Sequence, residues 1–65
     1  MPEPEEDKYD VFAEEERGPI WRASFSDLES AKAKAQSLAT EEGMEFFVFR
    51  FRNAGEIARF FPKRR

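Results

Sequence analysis

The sequence predicts an α+β fold with two layers, in which one helix packs on a small antiparallel or mixed sheet. Three observations support this class: two β-prone runs before residue 26, one capped amphipathic segment, and an aromatic run after residue 44. With 65 residues the chain forms one domain at most. Packing a helix on one face of a sheet lets so short a chain enclose a core.

Two β-prone runs with a turn between them predict an N-terminal hairpin. The runs are residues 9–13 and residues 20–25, and Gly18 and Pro19 form a turn signal ahead of the second run. Because side chains alternate along a strand, we expect Trp21, Ala23 and Phe25 to share one face of the second strand.

The clearest local signal is a helix that begins near residue 26 and ends before Gly43. Ser26 and Glu29 have the spacing of a capping box, in which each side chain bonds to the other residue's backbone N–H. Glycine after the last turn is a common helix stop. One stripe of the helix is apolar, and it consists of Leu28, Ala31, Ala35, Leu38 and Ala39.

Residues 45–52 predict a central strand that is apolar on both faces. Alternation places Phe47, Phe49 and Phe51 on one face, and we expect this face to meet the helix. The other face is half apolar, which is unusual for a surface open to water. Its residues are Phe46, Val48, Arg50 and Arg52.

The segment after Arg52 fits two interpretations. Residues 53–55 suit a three-residue hairpin loop followed by a strand over residues 56–61. Alternatively, Asn53 caps a short helix whose apolar edge contains Ile57 and Phe60. Pro62 ends either element, so the order is ββαβ plus a C-terminal strand or short helix.

Five sequence features follow one another between Tyr9 and Ile57. They are a strand at residues 9–12, Trp21, an alanine-rich helix at residues 29–39, a step from Gly43 into residues 47–49, and a late Gly55. In this order they resemble a group of small uncharacterised bacterial proteins of ββαββ layout, of the domain-of-unknown-function type. The resemblance implies a final strand and no known activity.

Charge is distributed unevenly along the chain. The net charge is −3, with 14 acidic and 11 basic residues, yet most acids lie in the first quarter and six bases lie after residue 49. We expect residues 1–7 to be a disordered acidic N-terminus, residues 8–62 to form the single domain, and residues 63–65 to be a basic tail.

The composition argues against catalysis, cofactors and metals. The chain has neither histidine nor cysteine, so Ser-His-Asp and Cys-His arrangements cannot form, and its three glycines are too isolated for a phosphate loop. The acidic runs lack the ligand spacing of a calcium loop. We therefore expect a non-enzymatic protein that is cytoplasmic, has no secretory signal and makes no membrane contact.

Apolar residues on both sides of the central strand predict a protein-binding surface. We expect the face opposite the helix to have an apolar centre and a charged rim, and to bind a protein partner or a second copy. The alternative is that the C-terminal element, with Ile57, Phe60 and Phe61, folds over this face within one chain. The predicted interface comprises Phe12, Ile20, Phe46, Val48, Arg50 and Arg52.

Binding of single-stranded nucleic acid is the second candidate function. Residues 49–52 alternate Phe and Arg, and a sheet face that offers Phe46, Arg50 and Arg52 could stack bases and contact phosphates. A sequence pI of about 5.0 argues against it, since nucleic-acid-binding domains usually have a pI above about 9. The predicted contacts are Arg50, Arg52, Arg59, Lys63, Arg64 and Arg65.

Overall fold

A computed structural model describes residues 8–53 and 55–62 of the chain. It contains a helix, α1 (Leu28–Glu42), and four strands, which are β1 (Tyr9–Glu15), β2 (Gly18–Phe25), β3 (Phe46–Arg50) and β4 (Gly55–Phe60). A short 3-10 turn, Phe51–Asn53, follows β3. Residues 1–7 and 63–65, for which we expect an acidic N-terminus and a basic tail, lie outside the described residues.

The four strands form one antiparallel sheet in the order β2-β1-β3-β4. The predicted α+β class and the single helix on a sheet are confirmed. The segment after Arg52 forms a strand and not a helix, although Ala54 of the predicted loop lies outside the described residues. Helix α1 connects the two hairpins, and this connection brings β3 beside β1 at the centre of the sheet.

The helix begins one residue later than the capping box predicts. Asp27 has an extended backbone (φ −132°, ψ 130°), and its carboxylate accepts a hydrogen bond from the Ser30 amide at 2.9 Å. Hydrogen bonds from the side chain and the backbone of Ser30 hold the pKa of Asp27 below its usual value. Either Ser26 or Asp27 can cap a helix, but an ionised carboxylate makes the stronger hydrogen bond.

The helix ends where the sequence predicts. Gly43 adopts the left-handed conformation (φ 64°), and its N–H donates to the Ala39 carbonyl at 3.0 Å. Glycine has no Cβ to oppose this conformation, so it ends helices readily. At 15 residues α1 is short, and no helix in the described part of the chain is long and apolar enough to cross a membrane.

The core lies between α1 and the sheet face that carries Val11 and Val48. The predicted apolar stripe of α1 is confirmed: four of its five residues are buried, and Leu28 packs against them. Alanine side chains let the helix axis approach the sheet closely, and the ring of Phe46 fills the space between them. The buried residues that form this core cluster are Tyr9, Val11, Ala13, Ala31, Ala35, Leu38, Ala39, Phe46 and Val48.

The prediction of which sheet face meets the helix is wrong. Phe46 and Val48, predicted to lie on the outer face, are 0% exposed beneath α1. Phe47 and Phe49, predicted to meet the helix, point to the opposite side of the sheet, and Phe51 belongs to the 3-10 turn. Both faces of β3 are apolar, so β3 alone does not determine which of them packs against the helix. The neighbouring strand β1 determines it.

Strand β1 decides which face is covered. On the helix side, Tyr9, Val11 and Ala13 are buried, and Glu15 is exposed at the end of the strand, beyond the pairing with β3; the other side carries two carboxylates, Asp10 and Glu14. Burying an ionised carboxylate without a partner costs several kcal/mol, on the order of the stability of a small domain. The helix therefore packs over Tyr9, Val11 and Ala13, where it buries no carboxylate of β1.

A β-bulge in β2 reverses part of the predicted alternation. Val11 lies opposite Ala23 and Phe12 lies opposite Trp21, so Arg22 is the extra residue. Trp21 consequently shares a face with Phe12, while Ala23 shares a face with Val11. A similar shift in β4 leaves Ile57 as the extra residue between the partners of Val48 and Phe49.

The bulge turns Arg22 towards the helix. Its guanidinium donates to both carboxylate oxygens of Glu42 at 2.9 and 2.7 Å, and it lies 5.4 Å from the ring centroid of Phe46. The hydrogen bond from Arg22 lowers the pKa of Glu42. This pair joins the edge strand β2 to the last turn of α1.

We expect Asp27→Ala to destabilise the protein more than Ser26→Ala does. The first substitution leaves the Ser30 amide without its acceptor, whereas the second removes a side chain that lies outside the helix. Thermal unfolding followed by far-ultraviolet circular dichroism measures the difference in melting temperature. A larger loss for Ser26→Ala would restore the capping box that the sequence predicts.

We expect Phe46→Ala to lower the free energy of unfolding by about 3–5 kcal/mol, because it leaves a cavity beneath the helix. Phe51 is 70% exposed, so Phe51→Ala is the matched control and we expect a change of about 0.5 kcal/mol or less. Urea denaturation measures both. Similar losses for the two variants would contradict the assignment of the buried face.

Candidate functional site

The sheet face turned away from α1 is the candidate site, and we call it the open face. Cross-strand partners lie on the same side of a sheet, so the strand register assigns its members. They come from all four strands and from Glu45, which precedes β3. They are Asp10, Phe12, Glu14, Pro19, Trp21, Ser24, Glu45, Phe47, Phe49, Glu56 and Arg59.

A continuous row of side chains crosses the open face. Trp21 lies opposite Phe12, Phe12 lies opposite Phe47, and Phe47 lies opposite Arg59. The rings of Phe12 and Phe47 are stacked, with centroids 5.3 Å apart and planes 10° apart, and the Arg59 guanidinium is 4.9 Å from the Phe47 centroid. Phe47 is only 8% exposed because its neighbours in the row cover it.

A shallow cleft lies beside this row. Phe49 meets Phe12 edge-on, with centroids 6.1 Å apart and planes at 81°. The cleft has a volume of about 270 Å³ and is lined by Phe12, Pro19, Phe47, Phe49 and Glu56. Pockets for cofactors and drug-sized ligands usually start at about 300 Å³, so this cleft suits one or two apolar side chains of a partner.

Arg59 is fixed at one end of the row by three carboxylates. It donates to Glu14 at 3.2 Å, to Glu45, and through two nitrogens to Glu56 at 2.7 and 2.6 Å. These bonds raise the pKa of Arg59, and the bond with Arg59 lowers the pKa of Glu56. Held in this way, the guanidinium keeps the Phe47 ring in place.

Asp10 holds the other end of the row. The indole Nε1–H of Trp21 donates to Asp10 Oδ1 at 3.4 Å, and the Ser24 hydroxyl donates to the same oxygen. Trp21 nevertheless remains 56% exposed. A half-exposed indole therefore stands beside a carboxylate at the β2 edge of the open face.

The open face is acidic. Among the described residues that the strand register and the Arg59 hydrogen bonds place on it, four carry carboxylates and one carries a guanidinium, for a net charge of −3. The carboxylates belong to Asp10, Glu14, Glu45 and Glu56, and the guanidinium belongs to Arg59. The aromatic rings thus lie within a negative border.

The predicted interface residues do not form one surface. Phe12 lies on the open face, but Phe46 and Val48 are buried in the core. Ile20 lies opposite Ala13 on the helix side, and Arg52 lies in the exposed 3-10 turn. Arg50 also points to the helix side, where its guanidinium is 5.5 Å from the Tyr9 ring centroid.

The bases predicted to contact nucleic acid are likewise separated. Arg50 lies on the helix side of the sheet, whereas Arg59 lies on the open face and is surrounded by carboxylates. The basic tail, Lys63 to Arg65, lies outside the described residues. In the described part of the chain, the open-face rings are accompanied by acids and not by free bases.

The chain was compared with known proteins. No protein-family model matches it, and no similar curated protein or solved structure was found. The resemblance to small bacterial proteins of ββαββ layout therefore stays a prediction. Within residues 8–53 and 55–62, no group of three or more acidic side chains is arranged to hold a metal ion.

Sequence reasoning missed Trp21, Phe47 and Phe49 as members of the site. The charges of β1 were the usable signal for the two phenylalanines, since Asp10 and Glu14 mark the side of the sheet that stays in water. For Trp21 the sequence held no comparable signal, because its orientation depends on the bulge at Arg22.

We expect the protein to lose stability as the pH falls below about 5, and Arg59 to cause part of this loss. The pKa of Glu56 is lower in the folded state, so its ionised form stabilises the fold. That contribution is complete above the unfolded-state pKa of about 4.3 and disappears as the pH falls through the lower folded-state pKa.

The substitution Arg59→Gln removes the cause of this shift. We expect a lower free energy of unfolding at neutral pH and a smaller decrease between about pH 5 and pH 3. Urea denaturation across this range measures both, with Lys34→Gln on the exposed side of α1 as the control. An unchanged pH dependence in the Arg59→Gln variant would contradict the assigned role.

Proposed function

We propose that this chain is a small non-enzymatic interaction module of the cytoplasm that docks onto a protein through its open face. The observation that carries the proposal is the aromatic row, Trp21, Phe12 and Phe47, on a sheet face that α1 leaves uncovered. It needs no cofactor or metal. The proposed surface is opposite the helix, as the sequence predicts, but it consists largely of other residues.

The composition of the open face supports docking to a protein. Protein interfaces combine an apolar, often aromatic centre with a charged rim, and tryptophan is among the side chains that contribute most to binding. Here Trp21 and Phe12 are partly exposed beside a cleft whose far wall is Phe49. Covering these rings removes apolar surface from water at about 25 cal/mol/Å².

The hydrogen bonds around the row favour binding in a second way. Before any partner arrives, the Arg59 guanidinium already lies over the Phe47 ring, and Asp10 already accepts a hydrogen bond from the Trp21 indole at 3.4 Å. A side chain that is already ordered loses little conformational entropy on binding, which costs about 0.5–1.5 kcal/mol for each side chain that must be immobilised. The contacts of Arg59 and Asp10 with these rings therefore favour binding at the open face.

Single-stranded nucleic acid is the weaker candidate for this face. Base stacking on Phe12 or Trp21 would bring phosphates close to Asp10 and Glu14, and like charges repel. Of the interleaved residues 49–52 that suggested the idea, Phe49 and Arg50 lie on opposite sides of the sheet, and Phe51 and Arg52 lie in the 3-10 turn.

We expect a photo-cross-linker at position 21 to capture a protein and the same cross-linker at position 20 to capture none. The two positions are adjacent in β2, but Trp21 shares the face of Phe12 and Ile20 shares the face of Ala13. Incorporating p-benzoylphenylalanine at each position in cells that express the chain tests this, with adducts resolved by gel and mass spectrometry. Equal labelling at both positions, or none at position 21, would contradict docking through the open face.

A further inference from the structure

We infer that the partner of the open face is a protein segment in which lysine or arginine side chains alternate with apolar ones. This inference rests on the proposed function and specifies the chemistry of its ligand. Two observations carry it: the net charge of −3 around the rings, and the pairing of an exposed indole with a carboxylate at the β2 edge.

The border of the open face selects a cationic partner. Asp10 lies at one end of the aromatic row, and Glu14, Glu45 and Glu56 surround Arg59 at the other. One guanidinium cannot balance three carboxylates, so the end near Arg59 remains negative although the arginine is paired. Complementary charge at the rim speeds encounter and disfavours partners of the wrong sign.

Trp21 and Asp10 together form a site for one cation. Tryptophan is the side chain whose ring attracts a cation most strongly, at distances within about 6 Å of the ring. The bond from Nε1 keeps the indole next to the Asp10 carboxylate while the ring stays 56% exposed. A lysine or arginine laid along the indole reaches both the ring and the carboxylate.

The cleft accommodates the apolar part of the same segment. Pro19, Phe12 and Phe49 form an apolar wall, and Glu56 is the charged residue at its border. An apolar side chain between two cations can enter this cleft while the cations meet the acidic border. The ligand thus needs both properties on neighbouring side chains.

A second copy of the chain is a poor occupant. Placing one open face against another brings two surfaces of net charge −3 together, and each Arg59 is already bound within its own cluster. Like charges that meet across an interface cost several kcal/mol. A positively charged partner is attracted to the open face, whereas a second open face is repelled by it.

The experiment measures binding of two synthetic peptides, one alternating lysine with valine and the other alternating glutamate with valine. Trp21 is the sole tryptophan of the chain, so its fluorescence reports directly on the open face. We expect the basic peptide to change this fluorescence and to bind at least about tenfold more tightly than the acidic one. We also expect its affinity to fall as salt is added.

Variants locate the contact, with fluorescence anisotropy of a labelled peptide as the readout. Asp10→Asn removes the charge but keeps an acceptor for Trp21 and Ser24, and we expect affinity to fall about two- to fivefold. The control Glu41→Gln makes the same charge change on α1. We expect Trp21→Ala to weaken binding about tenfold or more, and Ile20→Ala, on the other side of β2, to leave it unchanged.

Each alternative outcome overturns the inference in a recognisable way. Equal affinity for both peptides, or no loss for Asp10→Asn relative to Glu41→Gln, shows that charge does not select the partner. Self-association that Trp21→Ala abolishes identifies the occupant as a second copy, and tighter binding of a single-stranded oligonucleotide identifies it as nucleic acid. Binding of neither peptide also rejects a basic segment, and labelling at position 21 then decides whether docking itself stands.

Discussion

The pairing of β1 with β3 at the centre of the sheet sets the rest of the structure. In this register Val11 lies opposite Val48 and Phe12 lies opposite Phe47. The side chains of Val11 and Val48 therefore share one face of the sheet, and those of Phe12 and Phe47 share the other. Once the carboxylates of β1 must stay in water, Phe46 and Val48 go beneath the helix. The same constraint leaves Phe47 and Phe49 on the outside, and the candidate site follows from it.

The outer rings remain ordered because charged side chains stand in for a second layer. The one helix of the described residues packs on the other face of the sheet, and three phenylalanines on the outer face would expose a large apolar area without further cover. The Arg59 guanidinium, which three carboxylates hold, and the stacked ring of Phe12 both contact Phe47, which is why that ring is nearly buried without a helix above it. The remaining exposure is concentrated at Trp21 and around the cleft.

Much of the fold could be predicted from local signals. The alanine stripe and Gly43 located the helix, and alternation located the strands, because helix and strand periods depend on a few neighbouring residues. The choice of sheet face is a tertiary property. Burying Phe47 and Phe49 would place two rings in the core, whereas burying Phe46 and Val48 places one there. In the register with β1, however, the first choice would also bury Asp10 and Glu14. The cost of desolvating these carboxylates exceeds the gain from burying a phenylalanine in place of a valine. For the same reason the predicted interface residues lie on different sides of the sheet, and the face that Trp21 takes depends on a bulge that the sequence does not mark.

Both outer strands of the sheet, β2 and β4, contain an irregularity, at Arg22 and Ile57, and β2 also contains Pro19, which has no N–H to offer. A regular, flat edge next to exposed rings is a template on which further chains add by backbone pairing and grow into fibrils. Interrupted edges oppose that growth. Backbone pairing with a further chain is therefore disfavoured at both edges of the sheet, beside a face that carries aromatic rings.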